Sequence, residues 1–214
     1  MRGDGDGWST SPGGIRHWGR FGAAGLLLRA PLPGGGSAVL LQHRAPWSHQ
    51  GGTWAIPGGA RDSHESAEHA AVREAWEEAG ITADALHVRA ERLTMTAPSG
   101  WTYTTVVADA AGPLATVANR ESAELAWVPE DEVSDLPLHP SFATAWLELR
   151  AVPVRVRFSA EPVLPLPRTV EITDRGFFWV SATVDGPGDE VSLDAPADEL
   201  AVTLAAVLAG VGPA

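Results

Sequence analysis

Three glutamates, Glu74, Glu77 and Glu78, stand at i, i+3 and i+4 within Arg73-Glu74-Ala75-Trp76-Glu77-Glu78-Ala79-Gly80-Ile81. At about 3.6 residues per helical turn they share one face. On an open surface such neighbours repel by only about 0.2–0.5 kcal/mol and signify a solvated face. In a cleft each pair repels by about 4 kcal/mol at roughly 4 Å and an effective dielectric near 20. A divalent cation must then offset the charge. Hard carboxylate oxygens on one face suit Mg²⁺ or Mn²⁺, with water and substrate phosphates completing the shell. Helix geometry alone leaves both readings open.

The element that positions these side chains reads as a helix from Asp62 to Ala79, with Asp62 as N-cap, Glu65 three residues on, an Ala/Glu interior and Gly80 at the stop. Ala67, Ala70 and Ala71 lie near the glutamate stripe and are expected to leave space above the helix for a ligand, while Val72, Trp76 and Ala79 point elsewhere and pack. Before the helix, residues 45–62 read as a Gly/Pro-rich loop. Phe21–Arg29 and Ser37–Arg44 read as buried strands, and Leu86–Thr96, Thr102–Ala108 and Glu124–Val128 as further strands. Residues 129–133 suggest a short helix and His139–Leu149 a longer one. Strands interleaved with helices indicate an α/β layer architecture. Residues 1–19 are Gly, Ser and Trp rich and read as irregular, with His17-Trp18-Gly19-Arg20 docking on the chain beyond it.

Composition narrows the chemistry. The chain has 214 residues, no Cys and a formal net charge of −12, and its 15 cationic side chains are all Arg. Thiol nucleophiles, Cys-ligated zinc, lysine Schiff bases and the P-loop lysine are therefore excluded. A field of that sign repels polyanions, which argues against a broad nucleic-acid surface. A small phosphorylated ligand is compatible, given local Arg or a divalent cation. No basic, apolar leader opens the chain and no run of about 18 apolar residues occurs, so neither a signal peptide nor a membrane span is expected, and the cytoplasm is the default location. His64 and His69 are five residues apart, not the four that place two zinc-protease ligands on one face.

Spacing decides between the two readings of the acidic helix. Gly59, Glu65, Arg73-Glu74, Glu77-Glu78 and Gly80-Ile81 match the signature of the Nudix hydrolases at every fixed position, and the resemblance runs from about Arg20 to Arg150. Gln42-His43-Arg44 ends a strand, Trp54-Ala55-Ile56-Pro57-Gly58-Gly59 enters the loop, and Glu121-Ser122-Ala123-Glu124-Leu125-Ala126-Trp127-Val128-Pro129 resembles the family's late strand. The resemblance implies an α/β/α sandwich around a mixed sheet and hydrolysis of a nucleoside diphosphate linked to another moiety, by water attacking phosphorus with a divalent metal, Mg²⁺ or Mn²⁺. Carried over by residue, Glu77 and Glu78 would be the main metal ligands, with Glu74 a further ligand or the group that orients and deprotonates water. Gly58 and Gly59 would bring backbone close to the site, Glu65 and Arg73 would pair, and Arg44 would contact phosphate. Glu121 is the first candidate for a downstream ligand or base, Glu124 the second.

Three functions are compatible with this pattern: a mutator-type hydrolase taking a nucleoside triphosphate, oxidised or not, to the monophosphate and pyrophosphate; an ADP-ribose or nucleotide-sugar pyrophosphatase, with Pro98 near but out of register for that group's marker; and a non-catalytic ligand sensor, whose expected mark is loss of motif glutamates. None is lost. Trp47 and Trp101, in Gly/Pro/Ser-rich loops, are candidates for stacking on a base. From Ala151 the texture changes to Val152–Phe158, with Arg155 and Arg157 in alternation, then Pro-rich turns, a strand at Phe177–Val184 and a helix at Asp194–Leu208. The expected organisation is thus 1–150 as the hydrolase domain and 151–214 as a small β-rich unit ending in a helix, packed on the first domain or on a second subunit in a homodimer.

Overall fold

Glycine pairs and small side chains settle where this chain turns and how closely its layers approach. The computed structural model describes residues 3–33, 37–157, 169–170, 179–181 and 190–196. Strands β1 (Trp8–Thr10) and β2 (Arg16–Trp18) form an antiparallel hairpin, so the expectation of an irregular N-terminal segment is corrected. Gly13 and Gly14, at φ 86° and 82°, supply the left-handed turn, which Gly adopts without steric cost.

The mixed sheet is built from β3 (Ala23–Pro31), β4 (Ser37–Arg44), β5 (Trp54–Ala55), β6 (Gly58–Ala60), β7 (His87–Thr96), β8 (Thr102–Asp109) and β9 (Ser122–Pro129). Its order is β5-β4-β3-β8-β7, with β6 also on β3 and β9 also on β4. The loop expected over 45–62 thus contains two short strands. β3 is central: it runs parallel to β8 along Ala23–Arg29, pairs with β4 through Arg29–Pro31 and with β6 through Ala23–Gly25. β4 therefore leaves β3 beyond Val39 and pairs at Gln42–His43 with β5, while β9 lies along it from Ala38 to Arg44. That divergence opens the sheet beside the glycine strand β6.

Helix α1 (Ala67–Ala79) lies against β3, β6 and β8. Its Ala67, Ala70, Ala71, Ala75 and Ala79 are buried with Ala24, Leu26, Leu28, Leu40, Val106 and Ala108. The alanine stripe is thus the contact that lets helix and sheet approach closely, not open space for a ligand, and Trp76, expected to pack, is 59% exposed. The helix starts at Ala67, later than the expected Asp62. Its N-cap is Ser66, whose hydroxyl accepts from the His69 N–H at 3.1 Å. Glu65 is already committed to Arg73 and to the Asp62 N–H, which holds 62–65 out of the helix. At the other end Gly80, φ 72°, donates to the Trp76 carbonyl and Ile81 to that of Ala75, closing the helix in a left-handed cap.

The alternate residues of the sheet, among them Leu27, Val39, Leu41 and Val107, are buried too, so both faces are covered. A 3₁₀ turn at Val133–Asp135 replaces the short helix expected at 129–133, and α2 spans Pro140–Leu149. The chain divides into two compact units, one of Met1–Leu32 with Ser37–Ala145, the other including Trp146 onward. In the second, β10 (Ala151–Arg157), β11 (Thr169–Val170), β12 (Trp179–Ser181) and β13 (Glu190–Pro196) form an antiparallel sheet ordered β10-β13-β12-β11. Asp194–Pro196, expected to begin a helix, pair with Ala151–Pro153 as strand. The rest of that expected helix, 197–208, lies outside the described residues, as do parts of the strands expected at 152–158 and 177–184.

Candidate active site

The face of α1 carries its glutamates across a gradient of exposure. Glu78 is 5% exposed, the Glu74 side chain 14% and the Glu77 side chain 47%. Opposite them runs β6. The Gly58 N–H donates to Glu78 Oε2 at 2.8 Å, and the Gln42 amide is a further donor to the same carboxylate. Gln42 also donates to Ser122 Oγ at 2.9 Å, so β4, β9 and α1 meet at one buried polar point. A side chain on Gly59 would put its Cβ 2.5 Å from Glu74 Oε1, and one on Gly58 would stand 2.6 Å from the Ala24 carbonyl oxygen. Both glycines are required by close approach rather than by backbone dihedral.

Arg73 knits the loop to the helix. Its Nε and Nη2 meet both oxygens of Glu65 at 2.8 and 3.0 Å, Nη2 donates to the Ala60 carbonyl at 2.9 Å, and Nη1 donates to Glu74 Oε1 at 2.8 Å. Nη1 also lies 3.7 Å from Glu77 Oε2. The carboxylate face is therefore not without cationic compensation, as the missing lysines suggest: one guanidinium spans Glu65, Glu74 and Glu77. The sequence offered its position but not this reach.

Burial dominates the electrostatics. It pushes Glu78 up to about 8, aided by the charge of Glu74 and opposed by the Gly58 N–H, Gln42 and Arg44. It pushes Glu74 up to about 7 against the pull of Arg73, with Glu77 and Glu121 adding repulsion. Glu65 moves the other way because Arg73 hydrogen-bonds its ionised form. Removing two such carboxylates from water disfavours their charges.

Glu121 is exposed just before β9, its carbonyl accepting from the Ala45 N–H at 2.9 Å, and its charge bears on Glu74. Glu124 lies opposite His43 in the β4–β9 ladder. Arg44 sits at a bulge closing β4, its Nε donating to the His49 carbonyl at 3.1 Å, and its charge favours ionised Glu78. Gln42 and Arg44 share a strand face by alternation, a signal the sequence carried. Tyr103 and His139 were not legible. The Tyr103 hydroxyl occupies the space beside Gly25 and Gly58, its ionisation opposed by burial and by Glu78. His139 is pushed down to about 4 by burial, Arg44 and His49.

A second grouping, Asp4, Asp62 and His64, brings its ligand-type atoms within 4.8 Å of one another. Its contacts are structural: Asp4 accepts from the Ser63 N–H at 2.9 Å and hydroxyl at 2.6 Å, and Asp62 from the Gly5 N–H at 2.7 Å. They fasten the N-terminal segment to the loop before α1.

Residues 20–149 match the family model described as NUDIX domain. Over 202 residues the chain is 56% identical to a Mycobacterium tuberculosis protein named "Putative 8-oxo-dGTP diphosphatase 3", covering 92% of this chain and 91% of that protein. It is 43% identical over 148 residues to a "Nucleoside triphosphate pyrophosphatase/Nudix hydrolase fusion protein" of Bifidobacterium longum, covering 66% of this chain and 30% of that one. The crystal structure of a Nudix hydrolase from M. smegmatis, RenU, superposes with a TM-score of 0.65 at 68% identity over 66% of this chain and 91% of that chain. The family match over residues 20–149 and the identity to these relatives show that the chain belongs to the Nudix hydrolase family.

Proposed function

We propose that the protein is a divalent-metal-dependent nucleotide pyrophosphohydrolase that takes an oxidised purine nucleoside triphosphate of the 8-oxo-dGTP type to the monophosphate and pyrophosphate. The observation that carries this reading is the approach of β6 to the glutamate face: the Gly58 N–H donates to Glu78, and Gly59 lies so close to Glu74 that an added Cβ would fall 2.5 Å from its Oε1. The name of the M. tuberculosis relative supports the substrate class.

The residues fit a hard divalent cation. Glu74, Glu77 and Glu78 offer only oxygen donors, the set that suits Mg²⁺ or Mn²⁺. Gln42 Oε1, on the side chain that donates to Glu78, is buried without a hydrogen-bond partner among the described residues, which a hydrated ion would supply. An ion held there would neutralise phosphoryl charge and make water a stronger acid. The chain's own residues do the rest. Arg44 clamps a phosphate through its planar fork. Arg73, anchored by Glu65, keeps the Glu74 carboxylate in place. The oxygen of water bonds to phosphorus as the bridging P–O bond breaks and pyrophosphate leaves, and the water proton passes to Glu74 or to Glu121, whose charge bears on Glu74.

A panel of 8-oxo-dGTP, dGTP, other nucleoside triphosphates and ADP-ribose, incubated with Mg²⁺ and resolved by chromatography, tests the reading. Monophosphate and pyrophosphate from 8-oxo-dGTP, faster than from dGTP, are expected. Turnover of ADP-ribose alone would replace the proposed substrate, and hydrolysis of none would sink the reading.

A further inference from the structure

We infer that the N-terminal hairpin belongs to the substrate site, with Trp8, flanked by His49, as the platform on which the base of a purine nucleotide stacks. The inference rests on the nucleotide reading above and deepens it by assigning base recognition. The hairpin precedes residues 20–149, the part matched by the family model.

The hairpin is held at both ends. Asp4 and Gly5 bind Ser63 and Asp62 before α1. On the other side Ser11 Oγ donates to Ser99 Oγ at 3.0 Å, His17 stacks on Trp101 at 4.7 Å and 20°, and Trp101 Nε1 donates to the Gly19 carbonyl at 2.9 Å. Trp101, a candidate for stacking on a base, is 8% exposed and spends its ring on His17. It anchors the hairpin instead.

So fixed, the hairpin presents Trp8 at 44% exposure. Trp18 meets it edge-on at 5.1 Å, and the Arg16 guanidinium lies 4.3 Å from its ring centroid. A path of contacts leads from it to the carboxylates. The His49 ring is 6.3 Å from Trp8 and 6.1 Å from His139, the His49 carbonyl accepts from Arg44, and the charge of Arg44 reaches Glu78. Along this path two cations, Arg16 and Arg44, stand beside the aromatic rings of His49 and His139 in a chain of net charge −12. A positive, aromatic margin beside a phosphate-cleaving site complements a polyphosphate ending in a flat base. An indole already buttressed on several sides loses little freedom when a base stacks on it. Purines present the larger π-face.

The test compares kcat and KM of wild type, Trp8→Ala, Trp8→Phe and Trp47→Ala on 8-oxo-dGTP and on ribose 5-triphosphate, which keeps the phosphates and lacks the base. Removing a stacking aromatic should raise KM for the purine substrate about tenfold. That loss should leave kcat and the baseless substrate nearly unchanged, Trp8→Phe should retain most of the affinity, and Trp47→Ala should resemble wild type. Calorimetric binding of dGTP with Ca²⁺ in place of Mg²⁺ gives the same comparison without turnover. An unchanged purine-to-baseless ratio in Trp8→Ala, or a change confined to Trp47→Ala, overturns the assignment. Wild type that hydrolyses no nucleotide sinks the underlying reading; dGTP binding that still depends on Trp8 would then preserve the platform, and dGTP binding indifferent to Trp8 would remove it.

Discussion

A Cβ added to Gly59 would lie 2.5 Å from Glu74 Oε1, whereas one added to Gly58 would meet backbone, the Ala24 carbonyl oxygen and the Gly25 Cα, both at 2.6 Å. Neighbouring glycines therefore fail differently. A carboxylate on a flexible side chain can retreat; a paired strand cannot.

Gly59→Ala should accordingly keep its stability within about 1 kcal/mol while displacing Glu74, a misplacement worth on the order of 10²-fold in turnover. Gly58→Ala should instead destabilise by about 1–3 kcal/mol, as overpacking against backbone does. Thermal unfolding and kcat on the two variants separate these outcomes.

The Glu65–Arg73 pair is bidentate and partly buried, with side-chain exposures of 11% and 30%. Either alanine substitution should cost about 1–3 kcal/mol, since a charged partner is left behind. The double variant should lose little more than the worse single one, the signature of a coupled pair. Denaturant unfolding of the four proteins in the cycle measures it.

The pH dependence of metal-free stability is led by Glu74 and Glu78, raised from 4.5 to about 7 and about 8, and by Asp109, raised from 3.8 to about 6, and is opposed in part below pH 6.5 by His139, lowered from 6.5 to about 4. Raised carboxylates hold protons more tightly folded than unfolded. Their contribution is fully present below the unfolded values and is lost as pH rises through the folded ones. Tm without metal should therefore fall between about pH 5 and about pH 8, and Mg²⁺ should restore it at the upper end by binding the folded, ionised site. A metal-free Tm that rises across that window would contradict these shifts.

Much of the fold is legible in the sequence because periodicity is a local property. The i, i+3, i+4 spacing of Glu74, Glu77 and Glu78, the stop at Gly80 and the strands read over Phe21–Arg29 and Ser37–Arg44 need no knowledge of distant pairing. The alanine stripe is ambiguous for a physical reason: a small side chain leaves space where nothing packs and permits close contact where something does. Only the α1–β3 packing distinguishes them. Hydrophobicity alone turns Trp76 inward, yet the alanines and Glu78 occupy the buried side. Composition hides the hairpin, since Gly and Ser suggest irregularity until Gly13-Gly14 is seen as a turn between Trp8 and Trp18. Tyr103 and His139 enter the site through the β3–β8 pairing and the His139 N–H bond to the Trp54 carbonyl. No local pattern announces either contact.

Arg44→Ala should raise KM more than it lowers kcat, because a phosphate clamp acts in the ground state as well as the transition state. Arg44→Lys should recover only part, as the planar fork is lost. Steady-state kinetics on 8-oxo-dGTP provide the check, and unchanged KM and kcat in Arg44→Ala would leave this residue as a charged strand end.

The proposed function depends above all on the glutamates of α1 serving chemistry with a divalent ion rather than solvation. Glu78, the most buried of the three, is where the two roles differ most. The decisive quantity is kcat of Glu78→Gln at saturating Mg²⁺, with thermal unfolding of the same preparation. The expected result is a folded protein, at least as stable as wild type without metal above about pH 8, where Glu78 carries a buried, repelling charge that Gln lacks. Its turnover should fall by about 10²-fold or more, the scale of losing a preorganised group that stabilises transition-state charge. Near wild-type turnover in a folded Glu78→Gln protein would contradict the metal-site role of this face.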